Sequence, residues 1–85
     1  MDVGLSANAR EFDDQVEVDI ACRSFAQAVH IEAPGYVADD QYFHLTPRSL
    51  RTVRLRRRSP NVIGPFEGTV HALNAVAACR IGLTR

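Results

Sequence analysis

Asp40-Gln41-Tyr42-Phe43-His44-Leu45-Thr46-Pro47, followed by Arg51-Thr52-Val53-Arg54-Leu55-Arg56, decides the fold class. In the first segment Phe43 and Leu45 share one face, and Thr46-Pro47-Arg48-Ser49 turns the chain. In the second, Val53 and Leu55 face inward while Thr52, Arg54 and Arg56 face water. Arg57 shares parity with the apolar pair, so the strand is expected to leave the core there. Period-two alternation on both sides of a proline turn reads as antiparallel β-structure.

The same pattern extends upstream. From Gln15, Val16, Val18, Ile20 and Cys22 point one way and Glu17, Asp19 and Ala21 the other. Arg23 to Gln27 forms a connection too short for a stable helix. Ala28-Val29-His30-Ile31-Glu32 is a second strand with Val29 and Ile31 inward. Ala33-Pro34-Gly35-Tyr36 predicts a type II turn, because proline presets φ at its second position and glycine accepts positive φ at its third. Tyr42 to Leu45 is the third strand and Arg51 to Arg57 the fourth; Ser59-Pro60-Asn61 and Gly64-Pro65 bracket a loop. Gly68 to Asn74 is the last clear strand, with either Val70 and Ala72 or His71 and Leu73 inward. Residues 1–12 read as a frayed lead-in or edge strand, and 75–85 as a continuation of the last strand or a short helix. Five or six short strands with regularly spaced turns predict an all-β, antiparallel immunoglobulin-like β-sandwich, one domain over residues 1–85 with its core at about 11–74.

Composition narrows the function classes. A chain of 85 residues is too short for a catalytic α/β barrel, which takes roughly 250. Its apolar fraction of 46% is that of a globular domain. The net charge is zero but segregated: residues 1–42 carry nine acids and two arginines, residues 43–85 eight arginines and one acid. Pairing the halves in one sandwich sets acidic against basic strands. No stretch approaches the roughly 18 apolar residues of a membrane span, so no membrane partner is expected. The first residues lack the basic and apolar regions of a signal peptide, which favours a cytoplasmic chain. Cys22 and Cys79 stand 57 positions apart, as in an antibody-type disulfide. The tryptophan that packs on such a bond is missing, and two reduced, mostly buried thiols are expected.

Val16 to Ile20, then Phe25 to Glu32, then Asp40 to Pro47 and finally Gly68 to Asn74 together resemble the C-terminal immunoglobulin-like domain of glycoside hydrolase family 2 enzymes of the β-mannosidase type. The resemblance runs from about Glu11 to Asn74. That family usually has Asp-Asn-aromatic-Phe-Asp-Leu and then Pro-Gly-Glu; here Gln41 stands for Asn, His44 for Asp, and Arg48-Ser49 for Gly-Glu. The closing strand of the family often ends in Leu-Asn, as Leu73-Asn74 does here. The resemblance implies a non-catalytic accessory domain in carbohydrate metabolism that packs against a catalytic domain, in cis or in trans, and supports its rim. It places the hydrolytic glutamates in the barrel, so this chain alone is not expected to be an enzyme. Tyr36, Phe66 and Val62-Ile63 are the exposed apolar residues expected at such an interface. The alternative is a free-standing β-sandwich interaction module, dimeric through an edge strand.

Other candidates weigh less. Asp13-Asp14 and Asp39-Asp40 offer carboxylate pairs, but neighbouring strand residues point to opposite faces and aspartate is common at turns. Arg54-Leu55-Arg56-Arg57-Arg58 could bind phosphate; a solvated strand face paired with Glu17, Asp19 or Glu32 is favoured, and no nucleic-acid partner is expected. His30, His44 and His71 fall on three strands and make a metal site only if all three strands are adjacent and in register. Tyr36 and Tyr42 could form a sugar platform, but packing at the rim is favoured. No catalytic, cofactor-binding or metal-ligating residue is assigned, and no cofactor is expected.

Overall fold

A computed structural model describes residues 3–12, 15–59 and 66–84. Their strands are β1 (Ser6–Phe12), β2 (Gln15–Ala21), β3 (Ala26–Glu32), β4 (Tyr36–Ala38), β5 (Phe43–Leu45), β6 (Leu50–Arg57), β7 (Thr69–His71), β8 (Cys79–Arg80) and β9 (Gly82–Thr84). They form a five-stranded sheet, ordered β4-β6-β2-β1-β9, and a four-stranded sheet, ordered β5-β3-β7-β8. No helix among the described residues is long and apolar enough to cross a membrane. The chain is an all-β sandwich, and its pairings are antiparallel except β1 with β9.

The alternation on β2 sets the inner face of the larger sheet. Val16, Val18 and Ile20 are buried and lie opposite Leu55, Val53 and Arg51 of β6. Ala7 and Ala9 of β1 continue this face. Val29, Ile31, Phe43, Leu45, Val70 and Ile81 close the core from the smaller sheet and its connections. Burying a branched aliphatic side chain contributes about 1.5–3 kcal/mol, so these few residues dominate the stability of so small a domain.

The ends of the chain differ from the sequence reading. Residues 6–12 are neither frayed nor at an edge: β1 lies between β2 and β9. Its two small alanines obscured the signal, although both are buried. The segment after Ala75 forms β8 and β9, not a helix or a longer β7. The last clear strand is shorter than expected, Thr69–His71, with Val70 and Ala72 inward. Tyr42 precedes its strand, and β4 was not foreseen. The turn at Pro34-Gly35 forms as predicted, with Gly35 at φ 85° and the Tyr36 amide donating to the Ala33 carbonyl at 3.0 Å. Cys22 and Cys79 are free thiols, and burial pushes both up in pKa, away from the reactive thiolate.

β3 carries a bulge. Three steps along it, from Ala26 to Val29, match two along β5, from Leu45 to Phe43. Ala28 absorbs the extra residue at φ 52°. Side chains replace the ladder bonds this costs. The Ala28 amide donates to His44 Nδ1 at 3.2 Å. The Gln41 carboxamide accepts from the Ile31 amide at 2.8 Å and donates to its carbonyl at 2.9 Å. The Asn74 carboxamide accepts from the Gln27 amide at 2.9 Å and donates to the Phe25 carbonyl at 2.8 Å.

The outer face of the larger sheet joins the two charge halves. Arg54 reaches Glu17 at 3.3 Å, and Arg10 reaches Glu17 at 3.4 Å and Asp19. Thr52 donates to Asp19 at 2.6 Å. The Arg10 guanidinium and the Thr52 hydroxyl hold the Asp19 carboxyl below its ordinary 3.8. Such a depressed group stabilises the fold at any pH above its unfolded value and loses that contribution as pH falls through the lower folded value. Asp19→Asn is therefore expected to cost about 1 kcal/mol at pH 7, and the gap from the parent closes in melts as pH falls below the ordinary carboxyl value of 3.8.

The Thr46–Ser49 turn supplies a second test. Arg48 sits at φ 66°, where glycine is favoured, and Ser49 ties the turn through its amide at 3.3 Å and hydroxyl at 2.6 Å to the Thr46 carbonyl. Arg48→Gly is expected to raise stability by about 0.5–1 kcal/mol in urea denaturation, whereas glycine at Thr52, mid-strand, lowers it.

Candidate functional site

The outer face of the smaller sheet gathers the residues that the core and the ion pairs do not use. β3 and β7 pair with His30 opposite His71 and Glu32 opposite Thr69. Because side chains alternate along a strand, His30 and Glu32 share the outward face, and the register brings His71 and Thr69 to the same place. The imidazoles of His30 and His71 stack at 4.9 Å, only 10° from parallel. Tyr42 stacks on His30 at 5.1 Å. The Glu32 carboxylate lies 3.4 Å from His71 Nε2, and the Thr69 hydroxyl 2.9 Å from the same atom. His30 Nδ1 is buried and has no hydrogen-bond partner among the described residues.

These rings border a groove of about 330 Å³ lined by Ala28, His30, Tyr42, His71, Ala72 and Leu73. Two of its residues, Ala28 and Tyr42, are non-glycine positions at positive φ, 52° and 58°. Such conformations cost about 1 kcal/mol or more and persist only where the surroundings enforce them. Tyr42 is held there with its ring against His30 and 69% exposed. A second cavity is lined by Glu32, Pro34, Glu67, Gly68, Thr69 and Arg80.

The other candidates fall elsewhere. His44 does not join the other two histidines: it serves the bulge and packs against Phe25 at 5.6 Å. Asp39 pairs through its carboxylate and amide with the Arg54 backbone at 3.1 and 2.9 Å, and Asp40 forms an ion pair with Arg51. Both carboxylates are thus engaged in structure. Asp13-Asp14 lies outside the described residues, as does Val62-Ile63. Arg54 is paired with Glu17, while Arg56 and Arg57 are exposed. Tyr36 lies on β4 of the larger sheet, and Tyr42 directly precedes β5 of the smaller one. Tyr36 meets Phe66 edge-on at 5.1 Å, and Phe66 is buried, which corrects its expected place at an open interface.

In their place the structure exposes Leu73 and Val76, 72% and 73% accessible, on the loop between β7 and β8. Sequence reasoning missed Glu32 as the companion of the histidines. The signal was present in His30-x-Glu32, which puts both side chains on one face; the β3–β7 register that adds His71 was not.

A family model described as an Ig-fold domain, Ig_mannosidase, matches residues 1–77. No curated protein and no solved structure matches the chain. With two sheets of the expected strand pattern and nearly the whole length matched, the chain belongs to the mannosidase-type Ig-fold domain family.

Proposed function

We propose that this chain is a non-catalytic accessory domain of a β-mannosidase-like glycoside hydrolase, packing against the catalytic domain and supporting its rim. The observation that carries this reading is the composition of the β7–β8 loop. Leu73-Asn74-Ala75-Val76-Ala77-Ala78 is apolar at every position but one, yet Leu73, Val76, Ala77 and Ala78 are exposed. Loops that face only water are usually polar, and an exposed apolar segment next to an aromatic groove suits burial against another protein surface. Asn74, the one polar residue, is committed to β3 and so fixes the loop in place. Membership of the mannosidase-type Ig-fold family is what favours a partner of this kind. The role is mechanical: apolar contact fixes the module, and the module steadies loops at the edge of a sugar-binding cleft.

The test is calorimetric titration of the chain against the catalytic portion of a β-mannosidase-type hydrolase from the same cells. Binding is expected, and Leu73→Ser with Val76→Ser together should weaken it about tenfold or more without lowering the melting temperature. Absence of binding at about 100 μM, or equal affinity for the double variant, overturns the proposal. A defined homodimer in place of binding would support a free-standing interaction module instead.

A further inference from the structure

We infer that His30, Glu32 and His71 form a binding site for a divalent transition-metal ion of the zinc type. The site is carried by two strands in a fixed register, not by loops: His30 and Glu32 are alternate residues of β3, and His71 is the direct cross-strand partner of His30. One ligand atom from each of the three lies within 4.8 Å of the others. Tetrahedral zinc, with bonds of about 2.0–2.2 Å, holds its ligand atoms roughly 3.3–3.5 Å apart. The remaining gap closes by side-chain rotation. Glu32 is mostly exposed and free to swing, and the near-parallel imidazoles converge by turning about their Cβ–Cγ bonds.

Three further features favour a cation. His30 Nδ1 is a buried polar atom left unpaired among the described residues, a costly arrangement that a metal bound at this nitrogen relieves. The imidazoles of His30 and His71 already lie side by side at 4.9 Å, so one ion can reach a ring nitrogen of each. The Glu32 carboxylate beside His71 supplies the negative charge. Two imidazoles and one carboxylate suit zinc, cobalt, nickel or copper and disfavour calcium and magnesium, which require oxygen-rich sites. Three protein ligands leave a fourth position for water or for a donor from a docked partner.

Zinc chloride titrated into the intact chain tests the site. One equivalent is expected to bind with micromolar affinity, to raise the melting temperature, and to shift the imidazole NMR resonances of His30 and His71 but not those of His44. Cobalt should give the visible absorption of a four-coordinate nitrogen–oxygen site. His71→Ala and His30→Ala are each expected to weaken zinc about a hundredfold and Glu32→Gln about tenfold; Cys79→Ser and His44→Ala should bind as the parent does. The NMR shifts are read on the unmodified chain, so they decide the matter even if a histidine variant unfolds. Failure of zinc to move the His30 and His71 resonances, or binding that survives in a folded His30→Ala/His71→Ala chain, overturns the inference.

Discussion

The inner face of β2 sets the conditions for the rest of this sandwich. Val16, Val18 and Ile20 are almost fully removed from water at the centre of the larger sheet, with β1 on one side and β6 on the other. A slip of one residue would turn Glu17 and Asp19 into the core and the valines into solvent, an exchange no domain of this size can tolerate. The register is therefore fixed by burial. Because it is fixed, Glu17 and Asp19 lie outward beside Arg10, Thr52 and Arg54, and the acidic and basic halves of the chain meet on that face. The ion pairs follow from the packing. Their exposure limits what each adds, so they tune the sheet more than they hold it together.

The smaller sheet solves a different problem. β3 must cover the core with Val29 and Ile31 and also accept an extra residue at Ala28. The bulge interrupts backbone pairing, and His44, Gln41 and Asn74 restore it with side-chain donors and acceptors. Two of these, Gln41 and His44, stand where the sequence resemblance led to Asn and Asp. Both serve the backbone here, so these departures sit within the family's fold. Arg48, where the sequence resemblance led to glycine, sits at a positive φ of 66°.

Much of this was legible in the sequence. Alternation at 16–22, 29–31, 43–45 and 53–55 identified the strands and their inward faces, because those positions carry large apolar residues whose parity is unambiguous. It failed where the signal was weak or non-local. Ala7 and Ala9 are buried but small, so β1 passed for a frayed lead-in. β8 and β9 are too short for any period to register, and they exist because β7 and β1 supply partners. Phe66 looked like an interface residue, and its contact with Tyr36 across the fold buries it instead. The grouping of His30 and Glu32 with His71 needed the pairing of strands some forty residues apart (71 − 30 = 41), which local pattern does not encode.

What emerges is a division of labour between the two sheets. The larger one carries the paired charges of the two chain halves on its outer face, and the smaller one presents a groove, an aromatic and histidine stack, and an exposed apolar loop. The central claim is that this second face is the working surface. Amide hydrogen exchange of the chain, alone and mixed with the catalytic portion of a β-mannosidase-type hydrolase, tests it most directly. The account predicts slowed exchange at residues 27–32 and 69–78, with β1, β2 and β6 unchanged. Slowing confined to the larger sheet, or none anywhere, would contradict it.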